Sequence, residues 1–158
     1  MAKIRAVFDC NMFVQALFNP KGFAMKCFEA VKVGKIMLFV SSEILLEIRD
    51  VLQRPNLISR FPNTSVEQIE IFLEEVLFFA VEIENVPHKF RYERDPDDEP
   101  YINLAVEIKA DFIVSRDRDL LDLMTDFTIE AKEFRQRFRP LKVVEPKEFL
   151  QIIEAKEI

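Results

Sequence analysis

Apolar residues arrive in this chain as short continuous runs separated by stretches of helical spacing. Ile4, Ala6, Val7 and Phe8 make Lys3 to Phe8 a predicted strand. Met12 to Phe18 predicts a short apolar helix and Asn19-Pro20-Lys21-Gly22 a turn. Phe23, Cys27, Ala30 and Val31 place a helix over Phe23 to Val33, stopped by Gly34. Ile36 to Val40 predicts a second strand. Ser41 or Ser42 then caps a helix to about Leu52, with Arg54-Pro55 as its stop. A further helix follows Thr64-Ser65, where Ser65 and Gln68 have capping-box spacing and Val66, Ile69, Phe72, Leu73 and Val76 form the stripe. Val81 to Ile83 reads as a weak strand, Asp111 to Ser115 as another and Val143-Val144 as a last short one. An acidic, proline-bearing segment, Arg94 to Pro100, precedes a helix to about Lys109, and Pro146 opens a terminal helix through Phe149, Leu150 and Ile153.

Short apolar strands alternating with helices predict an α/β fold with a mostly parallel central sheet flanked by helices. No repeat, low-complexity tract or linker divides the chain, so one domain spanning 1–158 is expected. In such sheets the active crevice lies beyond the carboxyl ends of the strands, where strand order reverses. The chemistry is therefore sought at that edge.

Composition narrows the chemistry by its rare residues. With 2 Gly, a three-glycine dinucleotide fingerprint and a glycine-rich phosphate loop are both excluded. With 1 His, His88, a paired-histidine zinc site is excluded. The 2 Cys, Cys10 and Cys27, make no Cys-x-x-Cys pair and fit a reducing cytoplasm. The start of the chain reads as no signal peptide, and no apolar run is long enough to span a membrane. The formal net charge is −6, which argues against a plain nucleic-acid binder. Carboxylates without histidines favour hard cations such as Mg²⁺ or Mn²⁺.

Four acidic positions stand out. Asp9 ends the first strand and Asp117 follows the strand that ends at Ser115, so both should project at the carboxyl edge. Each taken alone also fits a plain helix cap. Glu47 borders the stripe of Ile44, Leu45, Ile48, Val51 and Leu52, the position of a rim residue unless other carboxylates join it. Asp98 stands three, four and seven residues before Tyr101, Ile102 and Ala105, on the buried side of its helix. Spacing leaves open which of Asp95, Asp97, Asp98 and Glu99 does chemistry, since Asp95 with Pro96 and Asp98 also imitates a helix start.

The joint order of these motifs resembles the PIN-domain ribonucleases: Asp9-x-Asn11, Glu47 in a mid-chain helix, the acidic box before Ala105, and Ser115-x-Asp117 ahead of Leu120-Leu121. Glu47–Pro55, Asp95–Asp98 and Pro146–Leu150 further resemble segments of the bacterial toxin components of toxin–antitoxin modules. The resemblance covers Lys3 to Leu150. It implies a PIN-like three-layer sandwich in which Asp9, Glu47, Asp98 and Asp117 hold one or two Mg²⁺ or Mn²⁺ ions and catalyse RNA hydrolysis. Asn11, Ser115 and Asp119 would then support them. It also implies an RNA substrate, a small antitoxin partner and a homodimer. Cys10 stands where the family often has Thr, and Thr125 to Pro140 is longer and more charged than in many relatives.

Phosphate contacts normally come from Lys and Arg. A local source is Lys132, Arg135, Arg137, Arg139 and Lys142, with Phe134 and Phe138 interleaved, which would either stack on bases or dock a surface helix on the core. Two competing readings remain. One is a PIN-fold binding module without turnover, disfavoured by the intact carboxylate set. The other is a receiver-like phosphotransfer domain with Asp9 as acceptor, for which Arg116 and Arg118 poorly replace the required Lys.

Overall fold

The computed structural model of the protein describes residues 3–156, so the two residues at each end of the expected 1–158 domain lie outside the described part. Strands β1 (Ile4–Phe8), β2 (Ile36–Ser41), β3 (Val81–Ile83), β4 (Phe112–Val114) and β5 (Lys142–Val144) form one five-stranded sheet in the order β3-β2-β1-β4-β5. Every pairing is parallel; Ala6 stands opposite Leu38 on one side and Phe112 on the other. Near-continuous burial along β1, β2 and β4 is what a parallel sheet covered on both faces demands.

Helices α1 (Cys10–Phe18), α2 (Phe23–Lys32), α3 (Ser42–Leu52), α4 (Pro55–Arg60) and α5 (Val66–Phe79) occupy the first half. Helices α6 (Glu99–Glu107), α7 (Arg118–Leu121), α8 (Ile129–Arg137) and α9 (Pro146–Lys156) follow. Phe8 meets Phe28 of α2 and Phe149 of α9 edge to face at 5.1 and 6.0 Å, and Phe149 also meets Phe112 at 5.5 Å. Such pairs add to the burial of their area. Helix α6 packs on β1, β2 and β4, and α3 packs on β2 and on α6.

Several starts and stops follow local chemistry. Ser41 caps α3 through Ile44 N–H, Ser65 and Gln68 form a reciprocal capping box on α5, and Gly34 ends the turn after α2 with φ 84°. Three predicted boundaries need correction. Helix α1 begins at Cys10 rather than Met12, because Asp9 caps it and accepts from Met12 N–H. Arg54-Pro55 stops α3 and also starts α4, with Pro55 in the first turn, where its missing N–H costs nothing. Residues 118–124 fold into α7 and a 3-10 turn, Asp122–Met124, too short to carry a periodic signal.

The connection from β3 to α6 is long, and buried Asn103 holds it. Its Oδ1 accepts from Lys89 N–H at 2.7 Å and Phe90 N–H at 2.8 Å, and its Nδ2 donates to Phe90 C=O. Phe90 then packs against Phe134 and Phe138. This anchoring delivers the segment Arg94 to Asp98 to the carboxyl edge of the sheet.

Candidate metal centre

Strand order reverses between β1 and β4, and an aspartate follows each strand: Asp9 directly after β1, Asp117 three residues beyond the end of β4. Asp9 follows β1, is only 4% exposed and caps α1. Fully buried Ser115 follows β4, donates its hydroxyl hydrogen to Asp9 Oδ2 and accepts from Asp117 N–H at 2.8 Å. Asp117 in turn caps α7, its Oδ1 accepting from Asp119 N–H at 2.9 Å. One hydroxyl thus ties the ends of two neighbouring strands together.

The acidic segment comes in from α6. Asp95 caps a 3-10 turn, Pro96–Asp98, by accepting from Asp97 N–H, and the turn runs directly into α6. Asp97 faces solvent, whereas Asp98 is 6% exposed. Asp95, Asp98, Asp117 and Asp119 converge, each offering a carboxylate oxygen with all such atoms within 4.8 Å of one another. Asp98 Oδ2 is buried and has no hydrogen-bond partner. A buried oxygen left unpartnered is costly, and a cation is a partner that an unpartnered oxygen among clustered carboxylates suits. The residues therefore fit a hard divalent ion.

Glu47 approaches from the second turn of α3, half-buried, and accepts from Tyr101 Oη at 3.1 Å. Asp9 and Glu47 stand outside the set of four converging oxygens, yet Asp117 and Glu47 are the charges that act most on Asp9. Among the described residues none of Asp9, Glu47, Asp95, Asp98 and Asp117 is in an ion pair, whereas Asp119 is paired with Arg94.

Burial pushes Asp9 up to about 7, against the Ser115 hydroxyl and the Met12 N–H that favour its charged form. Burial, then the charges of Asp117 and Asp95, hold Asp98 well above the usual carboxylate range. Burial also raises Glu47, opposed by the Tyr101 hydroxyl. Burial drives the Cys10 thiol up to about 12, which leaves it a small inert side chain beside the acids.

Asp119 is held from three sides. Its carboxylate accepts from Arg94 Nε at 2.8 Å, its carbonyl accepts from Tyr92 Oη at 2.6 Å, and its N–H is bound to Asp117. Arg94 also reaches Asp122 at 2.7 Å and Asp126 at 3.1 Å. Asn11 stands exposed in the first turn of α1. Sequence patterning does not point to Tyr92, Arg94 or Tyr101. Tyr101 reads as one more stripe residue, and Arg94 as part of a solvated charge run.

The basic cluster from Lys132 to Lys142 is divided by the fold. Arg135 donates to Leu123 C=O at 2.7 Å and Asp126 C=O at 2.8 Å, and Arg137 pairs with Glu133 and lies over the Phe138 ring. Lys132, Arg135, Arg139 and Lys142 line a cavity of about 390 Å³ at the start of β5, the opposite edge of the sheet from Asp9 and Asp117. Phe134 is fully buried, and Phe138 packs against Phe90, so the pair docks the helix on the core and the base-stacking role is not available to Phe134.

Comparison with known proteins agrees with this geometry. A family model described as "PIN domain" matches residues 5–119. An uncharacterized protein of Methanocaldococcus jannaschii is 34% identical over 153 residues, covering 96% of this chain and 93% of its own. With the acidic residues set at the edge of a five-stranded parallel sheet and the family model spanning both strand-end aspartates, the chain belongs to the PIN domain family.

Proposed function

We propose that this protein is a metal-dependent ribonuclease that hydrolyses RNA phosphodiester bonds at the centre built around Asp98 and Asp117. The observation that carries the reading is the unpartnered buried Oδ2 of Asp98 inside a group of four carboxylates. Asp9, Glu47, Asp98 and Asp117 are the acting carboxylates, with Asp95 and Asp119 added to the ligand set by their proximity. Ser115 orients Asp9 and Asp117, Tyr101 orients Glu47, and Asn11 is available to the substrate at the open side. When bound, Mg²⁺ or Mn²⁺ supplies positive charge against the scissile phosphate and lowers the pKa of a coordinated water. The expected products carry a 5′-phosphate and a 3′-hydroxyl.

The same reading includes a toxin role with a small antitoxin protein, a homodimer and a cytoplasmic location. Both cysteines are free, and among the described residues no helix is long and apolar enough to cross a membrane. Leu46 on α3 and Ile71 and Phe78 on α5 expose apolar surface to a partner. A small protein encoded immediately upstream would support the toxin role.

The test is incubation with mixed RNA in Mn²⁺, in Mg²⁺ and in excess EDTA. Cleavage in either metal that stops in EDTA, and is absent in Asp9→Asn, supports the reading. Full cleavage in EDTA contradicts it. Binding of RNA without turnover in any metal favours the non-catalytic module.

A further inference from the structure

We propose that a second, cationic site lies beside the carboxylate centre: the cavity bounded by Gln15, Asn19, Arg116 and Lys147 binds a phosphate group of the RNA. The proposal rests on the ribonuclease reading and adds the place where the substrate backbone is gripped.

Arg116 sits between Ser115 and Asp117, so the residue that lines this cavity is flanked in sequence by two residues of the centre. Gln15 lies on α1, the helix that Asp9 caps, and Lys147 lies in the first turn of α9, which follows β5. Both helices, and the loop that carries Arg116, begin at the carboxyl edge of the sheet. The cavity has a volume of about 140 Å³, enough for one phosphate group.

Arg116 and Lys147 are both exposed, and among the described residues neither is in an ion pair. The Arg116 guanidinium has one neutral partner, Gln15 Oε1 at 3.4 Å, which turns it toward α1 and leaves its other N–H groups available. Glu145 is the one carboxylate in the wall, so the cavity carries an excess of positive charge in a protein whose net charge is −6. The start of α2 also lines the cavity, and Gly22 caps it with no side-chain acceptor, which leaves main-chain N–H groups of that turn without a side-chain partner.

The contrast with α8 favours this place over the basic cluster legible in the sequence. Arg135 and Arg137 are spent on carbonyls and on Glu133, and Lys132, Arg139 and Lys142 gather at the far edge of the sheet. Among the described residues Arg116 and Lys147 are in no ion pair, and Arg116 stands between Ser115 and Asp117 in the chain. A phosphate of the strand held here lets the neighbouring backbone pass over Asp98 and Asp117, whose own charge repels it.

The experiment measures binding of the full-length chain to a labelled single-stranded RNA in EDTA, so that no turnover is needed, across a series of NaCl concentrations. Arg116→Gln/Lys147→Gln is compared with wild type and with Lys132→Gln/Arg139→Gln. The cavity pair should weaken binding about tenfold and flatten the slope of log K against log salt by about 1.4, the value for two lost contacts to a single strand. The Lys132→Gln/Arg139→Gln pair should leave both nearly unchanged, and all melting midpoints should agree. Running 5′-phosphate and 5′-hydroxyl RNA in parallel identifies the group bound: equal losses mean an internal diester, and a loss confined to 5′-phosphate RNA means the terminal monoester. Affinity and slope equal to wild type in the cavity variant, or no RNA binding by wild type at low salt, overturn the proposal. A variant that still binds normally while wild type cleaves RNA in Mn²⁺ removes this site and leaves the ribonuclease reading intact. Pair-dependent binding without any metal-dependent cleavage does the reverse.

Discussion

Ser115 donates its hydroxyl hydrogen to Asp9 and in the same geometry accepts from the Asp117 main chain, so the two strand-end aspartates share one hydroxyl. This bond favours the charged form of Asp9 against the burial that opposes it. Removing it should both loosen the junction of β1 with β4 and raise Asp9 further.

Ser115→Ala is predicted to destabilise the protein by about 1.5–3 kcal/mol at pH 8, the usual worth of a hydrogen bond to a charged group. The acid limb of the pH–activity profile should move to higher pH, because Asp9 would be protonated over a wider range. Denaturant melts and a pH profile measure the two effects. An unchanged limb means that Asp9 does not have to ionise for turnover.

The second prediction concerns pH and the metal-free protein. An acid whose folded-state value lies above its unfolded value holds its proton more tightly when folded. For Asp9 that interval runs from about 4 in the unfolded chain to about 7 in the fold, with Asp98 displaced in the same direction. Stability from these groups is greatest below the interval and falls as pH rises through it. In EDTA the melting midpoint should therefore be lower at pH 8 than at pH 5. Asp98→Asn should narrow that difference and melt above wild type at pH 8, and saturating Mn²⁺ should narrow it in wild type. A midpoint that rises from pH 5 to pH 8 in EDTA contradicts the electrostatic account.

The third prediction concerns Arg94, whose guanidinium reaches Asp119, Asp122 and Asp126 at once. A planar fork serves three carboxylates in a way that an ammonium does not. Arg94→Lys should keep the charge and lose the alignment of Asp119, weakening Mn²⁺ binding about tenfold, in the range typical of groups that orient metal ligands. Tyr92→Phe, which releases the Asp119 carbonyl, should act in the same direction. Calorimetric titration of both variants with Mn²⁺ checks this; affinity equal to wild type would show that Asp119 needs no support.

What was legible from sequence divides along a physical line. Apolar runs, the Ser65–Gln68 box, Gly34 and Pro146 act within a few residues, so β1, β2, α5 and α9 follow from local pattern. Pro55 carries two meanings, stop and start, and pattern alone shows only the first. Exposed Phe127 and Ile129 blur the apolar stripe at the start of α8. At the site, Asp9 and Asp117 are legible because each lies within three residues of the end of a strand that must be buried. Asp98 can be separated from Asp97 only by burial, and the nearness of Asp95 and Asp119 depends on how two distant segments meet. Asn103 and Tyr101 act through polar atoms that a count of apolar positions ignores.

The central claim is that the carboxylates around Asp98 hold a divalent ion, and direct Mn²⁺ binding tests it most closely. Free Mn²⁺ is followed by electron paramagnetic resonance as it is titrated into wild type and into Asp98→Asn at pH 7.5, without RNA. The account predicts saturable binding by wild type and at least tenfold weaker binding by Asp98→Asn. It also predicts a rise in wild-type stability of about 2.7 kcal/mol at a hundredfold excess over the Kd. Equal binding by the two proteins, or no binding by wild type, would contradict it.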